Sequence, residues 1–101
     1  MTYRLIRYRT RPDRADANQK LVEAVFAELK ARAPQDVRYL VLRATEGRFF
    51  HLVALEPGEE ASPVASLPSF REFQKALKER CVELPESSEV TIIGNHRMLF
   101  P

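Results

Sequence analysis

Every stretch of this chain with strand character is apolar on both faces, yet only two stretches have helical character. Phe49-Phe50-His51-Leu52-Val53-Ala54-Leu55 is the clearest case. A sheet with helices on one face and water on the other alternates apolar and polar residues. Two helices cover only one face of a four-stranded sheet. The second face needs another cover, and a second copy of the chain is the simplest one. The pattern therefore predicts a homodimer before it predicts any reaction.

Length and charge narrow the classes. At 101 residues the chain is the size of one domain, expected to span 1–101. So short a chain gains much from burying surface on a partner. Its 16 basic and 14 acidic residues leave a formal charge of +2, which gives no global drive toward nucleic acid or a membrane surface. Cys81 is the only cysteine, so an intramolecular disulfide and a cysteine-only metal site are both excluded. The opening residues, Met1-Thr2-Tyr3-Arg4-Leu5-Ile6-Arg7, lack the apolar core of a signal peptide. No run approaches the ~18 apolar residues of a membrane span, and a cytoplasmic protein is expected.

The elements follow from periodicity and punctuation. Tyr3 to Thr10 reads as a strand that ends at Arg11-Pro12-Asp13. Ala15 to Ala33 reads as a helix, with Leu21, Val25 and Leu29 every four residues, Asp13 or Asp16 as cap and Pro34 as stop. Val37 to Thr45 and Arg48 to Leu55 read as strands joined at Glu46-Gly47. An acidic loop, Glu56 to Glu60, follows. Ser69-Phe70-Arg71-Glu72 has the form of a capping box, opening a second helix to about Cys81. Pro85 to Ser88 reads as a loop, and Glu89 to Leu99 as the last strand. The order β-α-β-β-α-β predicts a ferredoxin-like α+β plait: a four-stranded antiparallel sheet, both helices on one face, strands one and three central.

A two-residue turn at Glu46-Gly47 pairs residues whose numbers sum to 93. His51 then opposes Leu42, and Leu40, Leu42, Ala44, Phe49, His51 and Val53 share the face that suits the helices. Tyr39, Val41, Arg43, Phe50, Leu52 and Ala54 share the other, which suits the dimer interface.

Few residues could carry chemistry. His51 sits mid-strand among apolar neighbours, where burial favours the neutral imidazole. There it is either a bonded core residue or the base or hydrogen-bond partner of a substrate. Arg7 is costly mid-strand unless paired. It would anchor an anionic substrate or pair with an acid. Phe26, Phe70, Phe73 and Leu42 would line a pocket under the helices. Tyr3, Tyr8 and Tyr39 read as packing or interface residues. His51 and His96 have no acid or cysteine at ligand spacing, so no metal site is expected. The element order also builds the RNA recognition motif, whose strand-three signature is basic–Gly–aromatic–small–aromatic. Glu46-Gly47-Arg48-Phe49-Phe50 departs from it, and the stacking face would have to stay open to solvent.

Tyr8-Arg9 leading through Pro12 into a helix, Ala24-Val25-Phe26-Ala27-Glu28-Leu29, Arg38-Tyr39, Phe50-His51-Leu52, and Leu67-Pro68-Ser69-Phe70 leading to Glu79-Arg80-Cys81 together resemble the antibiotic biosynthesis monooxygenase-like group of the dimeric α/β-barrel superfamily. The resemblance covers nearly the whole chain. It implies two plaits packed sheet to sheet into a barrel, with a pocket in each subunit between sheet and helices. It implies, too, a cofactor-independent monooxygenase acting on a small aromatic or polyketide-like molecule, since some members oxidise aromatics with O₂ and neither metal nor flavin. Other members degrade haem. This chain has no Trp, and Ile6 and Arg7 stand where that pattern wants an Asn, so no cofactor is expected. The alternative is a non-catalytic ligand-binding or structural homodimer of the same fold.

Overall fold

The computed structural model describes residues 1–59 and 61–99, so Glu60, at the end of the acidic loop, lies outside the described residues. Four strands form one antiparallel sheet in the order β2-β3-β1-β4. They are β1 (Thr2–Thr10), β2 (Tyr39–Arg43), β3 (Arg48–Leu55) and β4 (Cys81–Val90). Between them lie α1 (Ala15–Arg32), α2 (Pro68–Gln74) and the single turn α3 (Leu77–Arg80). This is the expected plait, with β1 and β3 central. The helices pack on one face, where Val22 and Val25 of α1 and Phe73 of α2 meet Tyr8 and Phe49 of the sheet.

Helix α1 forms where its apolar stripe falls, and the stripe includes a polar residue: Asn18 is as deeply buried as Val22 and Val25. Neither Asp13 nor Asp16 caps it. The chain enters through a 3-10 turn at Pro12–Arg14, and the N-cap is Arg14. The helix ends with Ala33 in the left-handed region, its N–H on the Leu29 carbonyl at 2.7 Å, and Pro34 blocks continuation. Ser69 is not the cap of α2. Pro68 takes the first helical position, which starts the helix two residues early. The free Ser69 N–H is satisfied instead by the Glu28 carboxylate of α1 at 3.0 Å. Hydrogen bonding from Ser69, with Arg32 beside it, holds the Glu28 carboxyl below its usual range.

The expected second helix is broken. Ala76 adopts φ 61° and separates α2 from α3. The break lets Arg80 fold back onto the end of α2, where its guanidinium donates to the Phe73 and Lys75 carbonyls at 2.6 and 3.0 Å. Those carbonyls have lost their helical partners, and a side-chain donor replaces them.

The last strand departs furthest from expectation. It runs from Cys81 to Val90, taking in Pro85 to Ser88, and not from Glu89 to Leu99. As an edge strand it tolerates proline. Its register is held by charge: Glu86 faces Arg7 and Glu83 faces Arg9, with ion pairs of 3.0 and 3.3 Å. The β-branched residues beyond it, which suggested a strand, lie on the surface, with Ile93 98% exposed.

The β2–β3 register differs from expectation by one residue. His51 opposes Val41, and Phe50 opposes Leu42. The turn does centre on Glu46 and Gly47, both at positive φ. However, the Ala44 N–H reaches the Arg48 carbonyl at 2.8 Å while the Arg48 N–H reaches the Thr45 carbonyl. Ala44 and Thr45 together face Arg48, and this bulge moves every β2 side chain to the opposite face. Gly47 is required there: a Cβ would stand 2.7 Å from the Thr10 carbonyl oxygen. Tyr39, Val41 and Arg43 therefore lie on the helix face with Phe49, His51 and Val53, and not on the outer face assigned to a partner. Arg43 pairs there with Asp16 of α1 at 3.0 Å. Leu40 and Leu42 turn outward instead and join Phe50, Leu52 and Leu5. The outer face remains apolar, built from partly different residues.

Candidate functional site

Sheet pairing converges three aromatic side chains on one point. Ile6 opposes His51 from β1 and Val41 opposes it from β2. Tyr8 and Tyr39 lie two residues further along those strands, on the same face as His51. Diagonal cross-strand neighbours are within reach of aromatic side chains. The Tyr8 hydroxyl lies 2.8 Å from Nε2 of His51, and the Tyr39 hydroxyl 2.6 Å from Nδ1. Both imidazole nitrogens are thus engaged.

The chain of contacts continues into the helices. Asn18 donates its amide to the Tyr8 hydroxyl at 2.9 Å. Arg80 donates Nε to the Asn18 carbonyl oxygen at 3.1 Å and is itself 6% exposed. Each guanidinium nitrogen has an acceptor, and the three acceptors are Asn18, Phe73 and Lys75. Its charge is desolvated but its donors are used, which is the condition for tolerating a buried cation.

Above His51 lies a cavity of about 600 Å³, within the usual range for small-molecule sites. Ile6, Tyr8, Tyr39, His51, Phe70 and Phe73 line its inner part. The charged side chains on its wall are Arg4 and Lys78, and among the described lining residues there is no carboxylate. The low-polarity setting shifts the titrating groups. Burial lowers the His51 pKa to about 4, which keeps the ring neutral at pH 7. Burial pushes the Tyr8 and Tyr39 hydroxyls well above their ordinary values. The floor of the apolar chamber is thus a neutral Tyr8–His51–Tyr39 group, backed through Asn18 by the Arg80 cation.

The structure brings His51, Phe70 and Phe73 together at this cavity. Phe26 does not reach it: it stacks behind Tyr39 with ring centroids 5.1 Å apart and buttresses that ring. Leu42 is on the outer face and 55% exposed, a consequence of the bulge. Arg7 also faces outward, paired with Glu86, so the structural alternative describes its place and an anion anchor inside the cavity does not. His96 lies beyond β4 on the surface. Tyr8, the strand-one aromatic that a base would stack on in an RNA-binding plait, is 4% exposed beneath the helices.

The residues that sequence reasoning missed are Tyr39, Tyr8, Asn18, Arg80 and Arg4. Two of them carried a signal. Asn18 occupies the buried stripe of α1 at the spacing 18, 22, 25, where a polar residue needs partners. Arg80 sits at a helix end, where donors find free carbonyls.

No helix is long and apolar enough to cross a membrane among the described residues. Neither a family profile nor a curated protein matches the sequence. Solved structures match its fold. A candidate antibiotic biosynthesis monooxygenase from Bacteroides thetaiotaomicron superposes with a TM-score of 0.74 at 14% identity, covering 98% of this chain and 95% of that one. One from Nitrosomonas europaea gives 0.71 at 13%, covering 91% and 89%. One from Caulobacter crescentus gives 0.68 at 17%, covering 92% and 90%. At these identities the likeness is one of fold: this chain is a ferredoxin-like plait of the architecture found in proteins named for antibiotic biosynthesis monooxygenase, as its sequence resemblance implies.

Proposed function

We propose that the cavity binds a small electron-rich aromatic or polyketide-like molecule and that the protein oxidises it with O₂ without a cofactor. The observation that supports this reading is the hydrogen-bonded chain ending at Tyr39, on the floor of an apolar chamber of ligand size. The reaction begins when the substrate gives up a proton to solvent, its anion being stabilised in the cavity. Its conjugate carbanion then forms a C–O bond with O₂, the peroxide takes up a proton, and loss of water leaves a carbonyl. The net change is CH₂ + O₂ → C=O + H₂O. The residue that touches the substrate is Tyr39, whose hydroxyl stabilises the substrate oxygen as it gains charge. His51 acts through it as a positioning residue. Both its nitrogens are bonded and its low pKa makes it a weak base at neutral pH.

A second copy of the chain covers the outer face, where Leu5, Leu40, Leu42, Phe50 and Leu52 lie together. Phe50 and Leu52 are the two of these that the sequence pattern also gives to the interface. The alternative, a dimer that binds its ligand without turnover, is favoured by the engagement of both imidazole nitrogens. Oxygen-electrode assays with a panel of anthrones, which carry the activated CH₂ that the step consumes, separate the two. Oxidation is expected, falling at least tenfold in Tyr39→Phe. If homogeneous protein consumes no O₂ with any of them, the oxygenase reading fails.

A further inference from the structure

The proton arrangement along the chain follows from one residue. Arg80 can only donate. Its Nε therefore selects the carbonyl oxygen of Asn18, and the Asn18 NH₂ must point to Tyr8. The Tyr8 oxygen receives that N–H, so its own proton goes to Nε2 of His51. Were Nε2 protonated instead, the Tyr8 oxygen would accept twice and the unspent proton would fall on Tyr8, which is 4% exposed, and not on the half-buried Tyr39. Nε2 is thus the acceptor. The neutral ring carries its proton on Nδ1 and donates it to the Tyr39 oxygen. Tyr39 receives a hydrogen bond and has not spent its own. Its hydroxyl proton is the one free donor at the end of the chain, at a residue that lines the cavity.

We infer that this site recognises an oxyanion on an apolar ring, a phenolate, through the Tyr39 hydroxyl, and that Arg80 sets this preference remotely through Asn18, Tyr8 and His51. The cavity wall agrees, since its charged side chains among the described residues, Arg4 and Lys78, are both cationic. Arg80, Asn18, Tyr8 and His51 are positioning residues in this scheme. The inference rests on the cavity being the binding site, but it does not require turnover.

The test uses 4-nitrophenol, a chromophore whose phenolate absorbs in the visible and which is not a substrate for oxygenation. Bound to the full-length protein, it is expected to ionise at a pH about one unit below the free compound, because the phenolate binds about tenfold more tightly than the phenol. Tyr39→Phe should abolish the shift and still bind the neutral form. Asn18→Asp keeps the volume and keeps a partner for Arg80. Its carboxylate accepts the Tyr8 proton, so the chain reverses and Tyr39 spends its proton on Nδ1. The shift should then vanish or invert. Nitrogen-15 spectra of His51 should report an Nδ1–H ring in the wild type and an Nε2–H ring in Asn18→Asp, which a change of charge alone would not produce. An Nε2–H ring in the wild type overturns the inference, as does a probe that fails to bind or ionises at or above the free value. A lowered probe pKa without O₂ uptake on any anthrone sinks the oxygenase reading and leaves this one standing. O₂ uptake with no probe shift does the reverse.

Discussion

The neutral His51 ring makes the fold sensitive to acid in a defined window. In the unfolded chain its imidazole titrates near the ordinary value of about 6.5, whereas in the folded chain burial holds it to about 4. Between these values the unfolded state binds a proton that the folded state refuses. Stability therefore rises with pH across the window and falls as pH drops through it. The full difference corresponds to about 3 kcal/mol, and about 2 kcal/mol of it should be lost between about pH 7 and about pH 5. That is a large share of the ~5–15 kcal/mol typical of a small domain. The Glu28 carboxyl works in a lower window. Its pKa is lowered on folding, so its contribution is present above the ordinary carboxyl range and disappears only as pH falls through the depressed value. The assay is urea unfolding at fixed protein concentration across pH 5 to 7, comparing the wild type with His51→Gln. Glutamine can still bond both tyrosines but does not titrate. Equal pH slopes in the two proteins, or a difference below about 0.5 kcal/mol, would refute the account of a buried neutral ring.

Two further outcomes follow from the same contacts. Arg80→Lys keeps the charge but cannot reach Asn18, Phe73 and Lys75 together, so a loss of about 3 kcal/mol in urea unfolding is expected, and a loss under about 1 kcal/mol would mean that the three bonds do not hold the α2 end in place. For the outer face, light scattering at micromolar concentration should show a dimer that Phe50→Glu converts to a monomer, and a monomeric wild type contradicts the interface.

The parts of the fold readable from sequence are those where burial alone sets the pattern. β3 shows its burial directly, with Phe49, His51 and Val53 buried under the helices, and α1 repeats its apolar residues at helical spacing. β4 was hidden because its place is set by a partner's charges. Glu83 and Glu86 look like loop residues until Arg9 and Arg7 stand opposite them. The same reading explains the arginine-rich N-terminus. Strand parity sends Arg7 and Arg9 outward to those acids and turns Arg4 inward to the cavity wall. His51 was legible as a polar residue in an apolar strand. Its partners were not, since hydrogen bonds between residues 43 or 62 positions apart leave no local trace.

The bulge at Ala44 and Thr45 connects the misread register to the chemistry of the site. With a plain two-residue turn, Leu40 and Leu42 would occupy the helix face beside His51, and Nδ1 would look at hydrocarbon. A neutral ring whose Nε2 already accepts from Tyr8 would then hold an unbonded N–H in a buried place, a cost of about 1–3 kcal/mol. The additional residue in β2 replaces that leucine with Tyr39, which satisfies Nδ1 and carries the chain to the cavity. It moves two leucines outward by the same step, so the face left for a partner becomes more apolar as the site becomes more polar. One irregular turn thus divides the β2 side chains between the cavity and the outer face.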